Sequence, residues 1–119
     1  MKFGILILEG PYQHEASDSA YNFAKAAIAK GHEITRVFFY QDGVLNATKL
    51  MDVQRDDRHI QERWTELSKE HGIEYIVCVA AAKRRGIVED IVAENFKIGG
   101  LGMLTDLAIE ADRLVTFRA

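Results

Sequence analysis

The segment YIVCVAAAKRRG, residues 75–86, has the pattern of a buried strand that runs directly into a helix. Tyr75–Val79 is rich in β-branched and aromatic residues, which favour strands, and Cys78 lies at its carboxyl end. Ala80–Arg85 is rich in helix-forming residues, and Gly86 is predicted to end that helix. A strand followed at once by a helix is the repeating unit of α/β proteins, so this segment predicts a parallel sheet.

The rest of the chain repeats this alternation. Further strands are predicted at Phe3–Leu8, Ile34–Tyr40, Phe96–Ile98 and Leu114–Phe117. Helices are predicted after a cap at Ser17 or Asp18, over Asp56–His71, over Ile87–Glu94 and after a cap at Thr105, with a loop at Gly99–Gly102. We therefore expect one α/β domain, residues 1–119, with helices on both faces of a mostly parallel sheet.

Composition limits the classes of protein that the chain can belong to. Its 119 residues are 48% hydrophobic and 28% charged, which is typical of a globular domain. A net charge of −3 gives no reason to expect direct binding to nucleic acid. One cysteine cannot form an internal disulfide, and the apolar run after Met1 is too short for a membrane span or a secretion signal. We expect a cytoplasmic protein without membrane contact.

Cys78 is the candidate for chemistry, because it is the only thiol and follows a buried strand. Reactive groups of parallel sheets gather where the strands end, and residues 9–12 and 40–43 follow two other strands. Lys83, Arg84 and Arg85, together with a helix start near Ala80, would favour the thiolate form of Cys78. The alternative is a structural cysteine that packs as a small hydrophobic residue.

Other patterns in the sequence point less clearly to a site. The four histidines lack metal-binding spacing, so we expect no metal, and the glycines at 99–102 do not form a dinucleotide-binding motif, so we expect no cofactor. His14 follows the first strand and could act as a base for Cys78 in a cysteine-dependent hydrolase. A thiol–disulfide oxidoreductase would normally carry a second cysteine, which the chain lacks.

The order of several motifs resembles the DsrE/TusD sulfur-relay family. The matching stretches are Lys2–Tyr12 with Ala16–Ala24, Gly31–Glu33 with Val37–Val44, Cys78–Gly86, and Gly100–Arg113. The resemblance runs nearly end to end, although the segment between Val88 and Phe96 is shorter than in other members.

This resemblance implies a three-layer α/β/α sandwich of the DsrEFH type and a sulfurtransferase that holds sulfur as a persulfide on Cys78. It also implies an α2β2γ2 heterohexamer with DsrF/TusC-like and DsrH/TusB-like subunits, and transfer of the sulfur to a DsrC/TusE-type acceptor. The Val37–Tyr40 cluster is predicted to be mostly core, and Trp64 to be core or a subunit contact. In such an assembly we expect Trp64 and part of the cluster to lie against a neighbouring subunit.

Two branches of the family differ in the fate of the sulfur. Residues 10–14 and 56–60 favour the DsrE branch, which implies dissimilatory sulfur oxidation. The alternatives are a TusD-like relay for tRNA 2-thiouridine synthesis and a non-catalytic structural subunit of the same complex.

Overall fold

The computed structural model describes residues 1–119, in which strands and helices alternate. The strands are β1 (Lys2–Ile7), β2 (Glu33–Phe39), β3 (Glu74–Cys78), β4 (Phe96–Gly99) and β5 (Arg113–Phe117). The helices are α1 (Ala16–Ala29), α2 (Ile60–His71), α3 (Val79–Arg84) and α4 (Leu101–Glu110). A 3₁₀ helix, Gln41–Ala47, follows β2, and a short 3₁₀ turn, Glu89–Ile91, follows α3. None of the helices combines the length and apolar character of a membrane span.

The strands form one sheet in the order β4-β3-β2-β1-β5, and every neighbouring pair is parallel. On one face Trp64 of α2 packs edge-to-face on Phe39 and Tyr75, with ring centroids 5.5 and 5.6 Å apart. On the other face α4 lies so close that a side chain on Gly4 would come within 2.6 Å of Leu107. These contacts confirm the predicted α/β fold with helices on both faces of the sheet.

The largest aromatic residues are buried within this one chain. Trp64, Val37, Phe38 and Phe39 are 0% exposed, and only Tyr40 at the end of their cluster is partly exposed. The prediction that the cluster is mostly core is therefore confirmed. The prediction that Trp64 and part of the cluster lie against another subunit is wrong for these buried residues. Helices cover both faces of β2, so the chain buries these side chains without a partner.

The predicted helix caps are also wrong, and tertiary partners take two of the three side chains, those of Ser17 and Asp18. Helix α1 begins one residue before Ser17, whose hydroxyl donates a 3.0 Å hydrogen bond to the carbonyl of Glu9. Asp18 binds Arg58 instead of a backbone amide. Thr105 lies in the middle of α4, which begins at Leu101.

Two segments near the carboxyl end of the chain differ from the predictions. The predicted loop at residues 99–102 is divided between β4 and α4, because Gly99 pairs with β3 and Leu101 already starts the helix. The predicted helix over Ile87–Glu94 is only the turn Glu89–Ile91. The backbone of residues 91–93 forms hydrogen bonds with residues 47–49 instead of continuing a helix. The Ala93 amide, for example, donates to the Ala47 carbonyl at 2.7 Å.

Candidate active site at the carboxyl edge of the sheet

The carboxyl ends of β1, β2 and β3 lie side by side, as the sequence predicts for the loops that follow them. The 3₁₀ helix after β2 is seated directly on the end of β1, where a Cβ on Gly43 would come within 2.2 Å of the Ile7 carbonyl oxygen. Only glycine fits there. The arrangement fixes one wall of the candidate site beside the end of β3.

Asn46 ties this wall to the rest of the edge. Its side-chain amide is completely buried and donates to the carbonyl of Gly43 at 2.9 Å and to the Ser17 hydroxyl at 3.1 Å, with a longer 3.5 Å contact to the Glu9 carbonyl. The site thus depends on a residue that the sequence analysis missed. A single asparagine after a strand carries no pattern that distinguishes it from an ordinary turn residue.

Cys78 is the last residue of β3 and the first flanking residue of α3. It is a free thiol and only 1% exposed. The predicted position at the strand end is confirmed, and the burial means that water and other thiols do not reach the sulfur in this conformation. Any reaction of the Cys78 sulfur with another protein therefore requires the surrounding elements to move.

Alternation of side chains along β3 places Cys78 on the face of the sheet that α4 covers. Tyr75 and Val77 share the opposite face with α2, as the ring contact of Tyr75 with Trp64 shows, so Ile76 and Cys78 point towards α4. The register partner of Cys78 on β4 is Gly99. Neighbouring strands lie about 4.8 Å apart, so a side chain at position 99 would lie next to the thiol on the face that α4 covers.

The three predicted basic residues do not occupy equivalent positions. Lys83 and Arg84 are exposed in the last turn of α3, whereas Cys78 precedes its first turn. Arg85 folds back along the helix: its Nη1 donates to the Ala81 carbonyl at 3.0 Å, and its Nε donates to Asp42 Oδ1 at 2.8 Å. Arg85 therefore joins α3 to the 3₁₀ helix, and the electrostatic role of the three cations stays a prediction.

His14 is not positioned as a base for Cys78. Its Nε2 atom lies 3.8 Å from Glu9 Oε2, and its side chain borders a shallow depression with Thr116 and Phe117 at the end of β5. In the sheet order, β1 and β2 separate β5 from β3. The geometry thus offers no support for the hydrolase alternative.

A second group of side chains fastens the segment before α2 to the loop after β1. The Tyr12 hydroxyl donates to the Arg58 carbonyl at 2.8 Å and accepts from the Ile60 amide at 3.1 Å. Arg58 in turn makes two hydrogen bonds to Asp18, of 2.9 and 2.8 Å, and this bonding raises the pKa of its guanidinium above the usual value. These residues fasten the two segments together, and none of their hydrogen bonds involves Cys78.

Comparison with known proteins identifies relatives along the whole chain. The family described as DsrE/DsrF-like matches residues 1–117. A DsrE protein of Allochromatium vinosum, named as a sulfurtransferase, is 56% identical, with 98% of each chain covered. Sulfurtransferase TusD of Serratia proteamaculans is 43% identical over 94% of this chain and 96% of its own length.

Solved structures show the same fold at lower sequence identity. The ychN protein of E. coli superimposes with a TM-score of 0.85 at 21% identity, covering 98% of this chain and all of that one (100%). A protein of unknown function from Methanobacterium thermoautotrophicum gives a TM-score of 0.73 at 13% identity, covering 97% of this chain and 99% of that chain. At these identities the likeness concerns the fold alone.

Proposed function

Because this chain belongs to the DsrE/DsrF-like family, we propose that it is a sulfurtransferase subunit that carries sulfur as a persulfide on Cys78. The observation that carries the proposal is the position of the only thiol of the chain, at the strand end where this fold gathers its loops. The relatives named as sulfurtransferases match over nearly the full length, which supports a sulfur-transfer role.

The transfer needs no change of net oxidation state. The Cys78 thiolate attacks the outer sulfur of a donor persulfide, the S–S bond of the donor breaks, and the donor leaves as a thiolate. The persulfide formed on Cys78 then gives its outer sulfur to the thiolate of an acceptor by the same exchange, which restores the Cys78 thiolate. One nucleophilic thiol is sufficient for both steps, in keeping with the single cysteine of the chain.

Burial of the sulfur suits this chemistry. A persulfide is lost to any free thiol that attacks it, and at 1% exposure Cys78 is shielded from molecules in solution. The same burial fits a structural cysteine, which is the competing interpretation of the residue. Chemical loading distinguishes the two.

Exposure of the purified protein to a small-molecule polysulfide, followed by mass spectrometry of intact protein and peptides, tests the proposal. We expect the mass of one or more sulfur atoms on the peptide that contains Cys78, removed by a reducing agent and absent from Cys78→Ser. Circular dichroism of the variant checks that it folds. If Cys78 gains no sulfur either in the folded protein or during brief exposure to mild denaturant, the persulfide proposal is wrong and the chain is a structural subunit.

We further propose that the chain works in a cytoplasmic α2β2γ2 heterohexamer with DsrF/TusC-like and DsrH/TusB-like subunits, and that it delivers sulfur to a DsrC/TusE-type acceptor in dissimilatory sulfur oxidation. The identity of 56% to a DsrE protein, against 43% to a TusD protein, supports this branch over tRNA thiolation.

The surface of α4 supports assembly with other subunits. Ile109 in the last turn of α4 is 77% exposed, and Thr105, which lies one turn before it, is uncharged. Leu114 of the neighbouring strand β5 is 37% exposed. Such an apolar, uncharged strip is typical of the centre of an interface.

Co-expression with the two homologous subunits tests the assembly. We expect a single complex of six chains by light scattering, and Ile109→Lys should weaken it without unfolding this subunit. A chain that stays monomeric in the presence of both homologues contradicts the proposed assembly.

A further inference from the structure

The proposed function requires the Cys78 sulfur to meet another protein, yet the thiol is 1% exposed. Some element that covers it must therefore open, and the structure offers two candidates. One is the wall formed by the 3₁₀ helix Gln41–Ala47 and α3. The other is the beginning of α4, which lies on the face of the sheet towards which Cys78 points.

Residues 100–103, which we call the lid turn, begin α4 and cover the sheet next to Cys78. A Cβ built on Gly99, the register partner of Cys78, would lie 2.5 Å from Met103 Sδ and 3.0 Å from Ile76 Cγ2. The Met103 side chain thus occupies the space that a side chain at position 99 would fill. Because Gly99 and Cys78 are neighbours on adjacent strands, Met103 lies over the sheet beside the thiol.

The lid turn is weakly held. Its N-cap residue, Gly100, provides no side-chain cap, and Gly102 lies in the first turn, where glycine costs helix stability. Leu101 is half exposed. The two side-chain hydrogen bonds to this turn are both long, 3.4 Å from Arg36 Nη1 to the Met103 carbonyl and 3.5 Å from the Thr105 hydroxyl to the Leu101 carbonyl.

The opposite wall is fastened more strongly. Gly43 rests on the Ile7 carbonyl, and the buried amide of Asn46 donates to the Gly43 carbonyl and the Ser17 hydroxyl. Arg85 and Asp42 add an ion pair that joins α3 to this wall. Local opening occurs preferentially in elements with few buried contacts, which describes the lid turn better than the wall.

We infer that local opening of the lid turn controls access to Cys78, and that Met103 is the side chain that closes it. The inference deepens the proposed function, because it names how the same cysteine becomes available for sulfur exchange. It does not depend on sulfur being bound, since it concerns exposure of the thiol alone.

Alkylation by iodoacetamide, a small neutral reagent, measures this exposure. At low reagent concentration the rate reports the fraction of time for which the thiol is open, and the rate in strong urea gives the reference for a fully exposed thiol. Gly102→Ala should close the lid turn, because alanine favours the helix and no atom lies within 4 Å of the new Cβ. We expect alkylation to slow about two- to fivefold.

Asn22→Ala is the matched control. Asn22 is exposed on α1, so the change improves helix propensity in an element remote from Cys78. The rate of alkylation should stay unchanged. If Asn22→Ala slows it as much as Gly102→Ala does, the thiol becomes exposed by global unfolding and the inference is wrong.

Met103→Ala is expected to act in the opposite direction. Removal of the side chain uncovers the sheet beside Cys78, so alkylation should become several-fold faster while circular dichroism remains that of the folded protein. Should this variant fail to fold, Gly102→Ala still decides the question. An unchanged rate of alkylation in Gly102→Ala would overturn the inference. If Asp42→Asn then raises the rate, the wall of the 3₁₀ helix is the element that opens.

These measurements separate the lid from the carrier. The lid variants could change the rate of alkylation in a protein that never gains sulfur. That result would support control of access by the lid turn and refute the proposal that Cys78 carries a persulfide. Cys78 could instead gain sulfur while Gly102→Ala leaves the rate of alkylation unchanged. That result would refute the lid turn and leave the proposed persulfide on Cys78 supported.

Discussion

The hydroxyl of Tyr75 in β3 donates a 2.6 Å hydrogen bond to the backbone carbonyl of Trp64 in α2. Both residues are 0% exposed, and their rings pack edge-to-face with centroids 5.6 Å apart. This pair fastens the helix to the strand that ends at Cys78. Burial raises the pKa of the Tyr75 phenol above its ordinary value near 10.

The raised pKa of Tyr75 predicts a loss of stability in alkali. Below about pH 10 the phenol is protonated in both states and its contribution is complete. As the pH rises further, the unfolded state releases a proton that the folded state retains, so the free energy of unfolding decreases by up to about 1.4 kcal/mol per pH unit from this group.

Tyr75→Phe should remove that decrease, at a cost of about 1 kcal/mol at neutral pH for the lost hydrogen bond. Urea unfolding between pH 8 and about pH 11 measures both effects. Tyr40→Phe is the control, because Tyr40 is partly exposed and the loss of its hydroxyl should preserve the alkaline decrease. Equal alkaline slopes for Tyr75→Phe and the unmodified protein would contradict the prediction.

Trp64 is predicted to stabilise the single chain, since it is buried among aromatic rings of both α1 and the sheet. Trp64→Ala should lower the free energy of unfolding by about 3–5 kcal/mol, as is typical of a large cavity. Ile109→Ala, at a residue 77% exposed, should change it by less than about 0.5 kcal/mol. Denaturant unfolding of the isolated chain measures both, and a mild effect of Trp64→Ala would mean that Trp64 acts mainly outside this core.

Gly43 is predicted to tolerate no side chain. A Cβ would lie 2.2 Å from the Ile7 carbonyl oxygen, which also accepts the 2.9 Å hydrogen bond from the Tyr40 amide. Gly43→Ala should therefore destabilise the fold by about 1–3 kcal/mol or more. Gly102→Ala, whose Cβ meets no atom within 4 Å, is the control and should keep or raise stability. Similar unfolding midpoints for the two variants would argue against the tight seating of the 3₁₀ helix.

Lys83 and Arg84 are predicted to attract an anionic sulfur acceptor, because both are exposed at the end of α3. Changing both to Glu should slow association with a purified DsrC/TusE-type carrier, by about tenfold at low ionic strength and less at high salt. The same double change at Lys25 of α1 and at Lys30, which follows the end of that helix, alters the net charge equally and is the control. Equal slowing by both pairs would show that only net charge matters.

Local sequence patterns were sufficient for the order and type of the main elements. Apolar runs such as Phe3–Leu8 identify buried strands, and the spacing of Ile60, Trp64 and Leu67 identifies a helix, because these patterns reflect which faces leave water. Gly31, Gly72 and Gly86 mark helix ends through their left-handed backbone, with φ of 87°, 68° and 72°. The position of Cys78 at a strand end followed from the same reasoning.

Features that depend on contacts between distant residues were accessible only from the tertiary structure. Ser17 and Asp18 have the chemistry of helix caps, but Glu9 and Arg58 compete for them successfully. The glycines at 99–102 have the composition of a loop, yet pairing with β3 and packing of Met103 draw them into β4 and α4.

The surroundings of Cys78 show the same division. The amino-acid pattern alone is sufficient to place one thiol at the end of a buried parallel strand, because strand pattern and topology are local or nearly so. The burial of the thiol, the position of Met103 over Gly99 and the bond from Arg85 to Asp42 follow from the three-dimensional packing alone. Burial is a sum of contacts from elements far apart in the chain, and local pattern does not encode that sum.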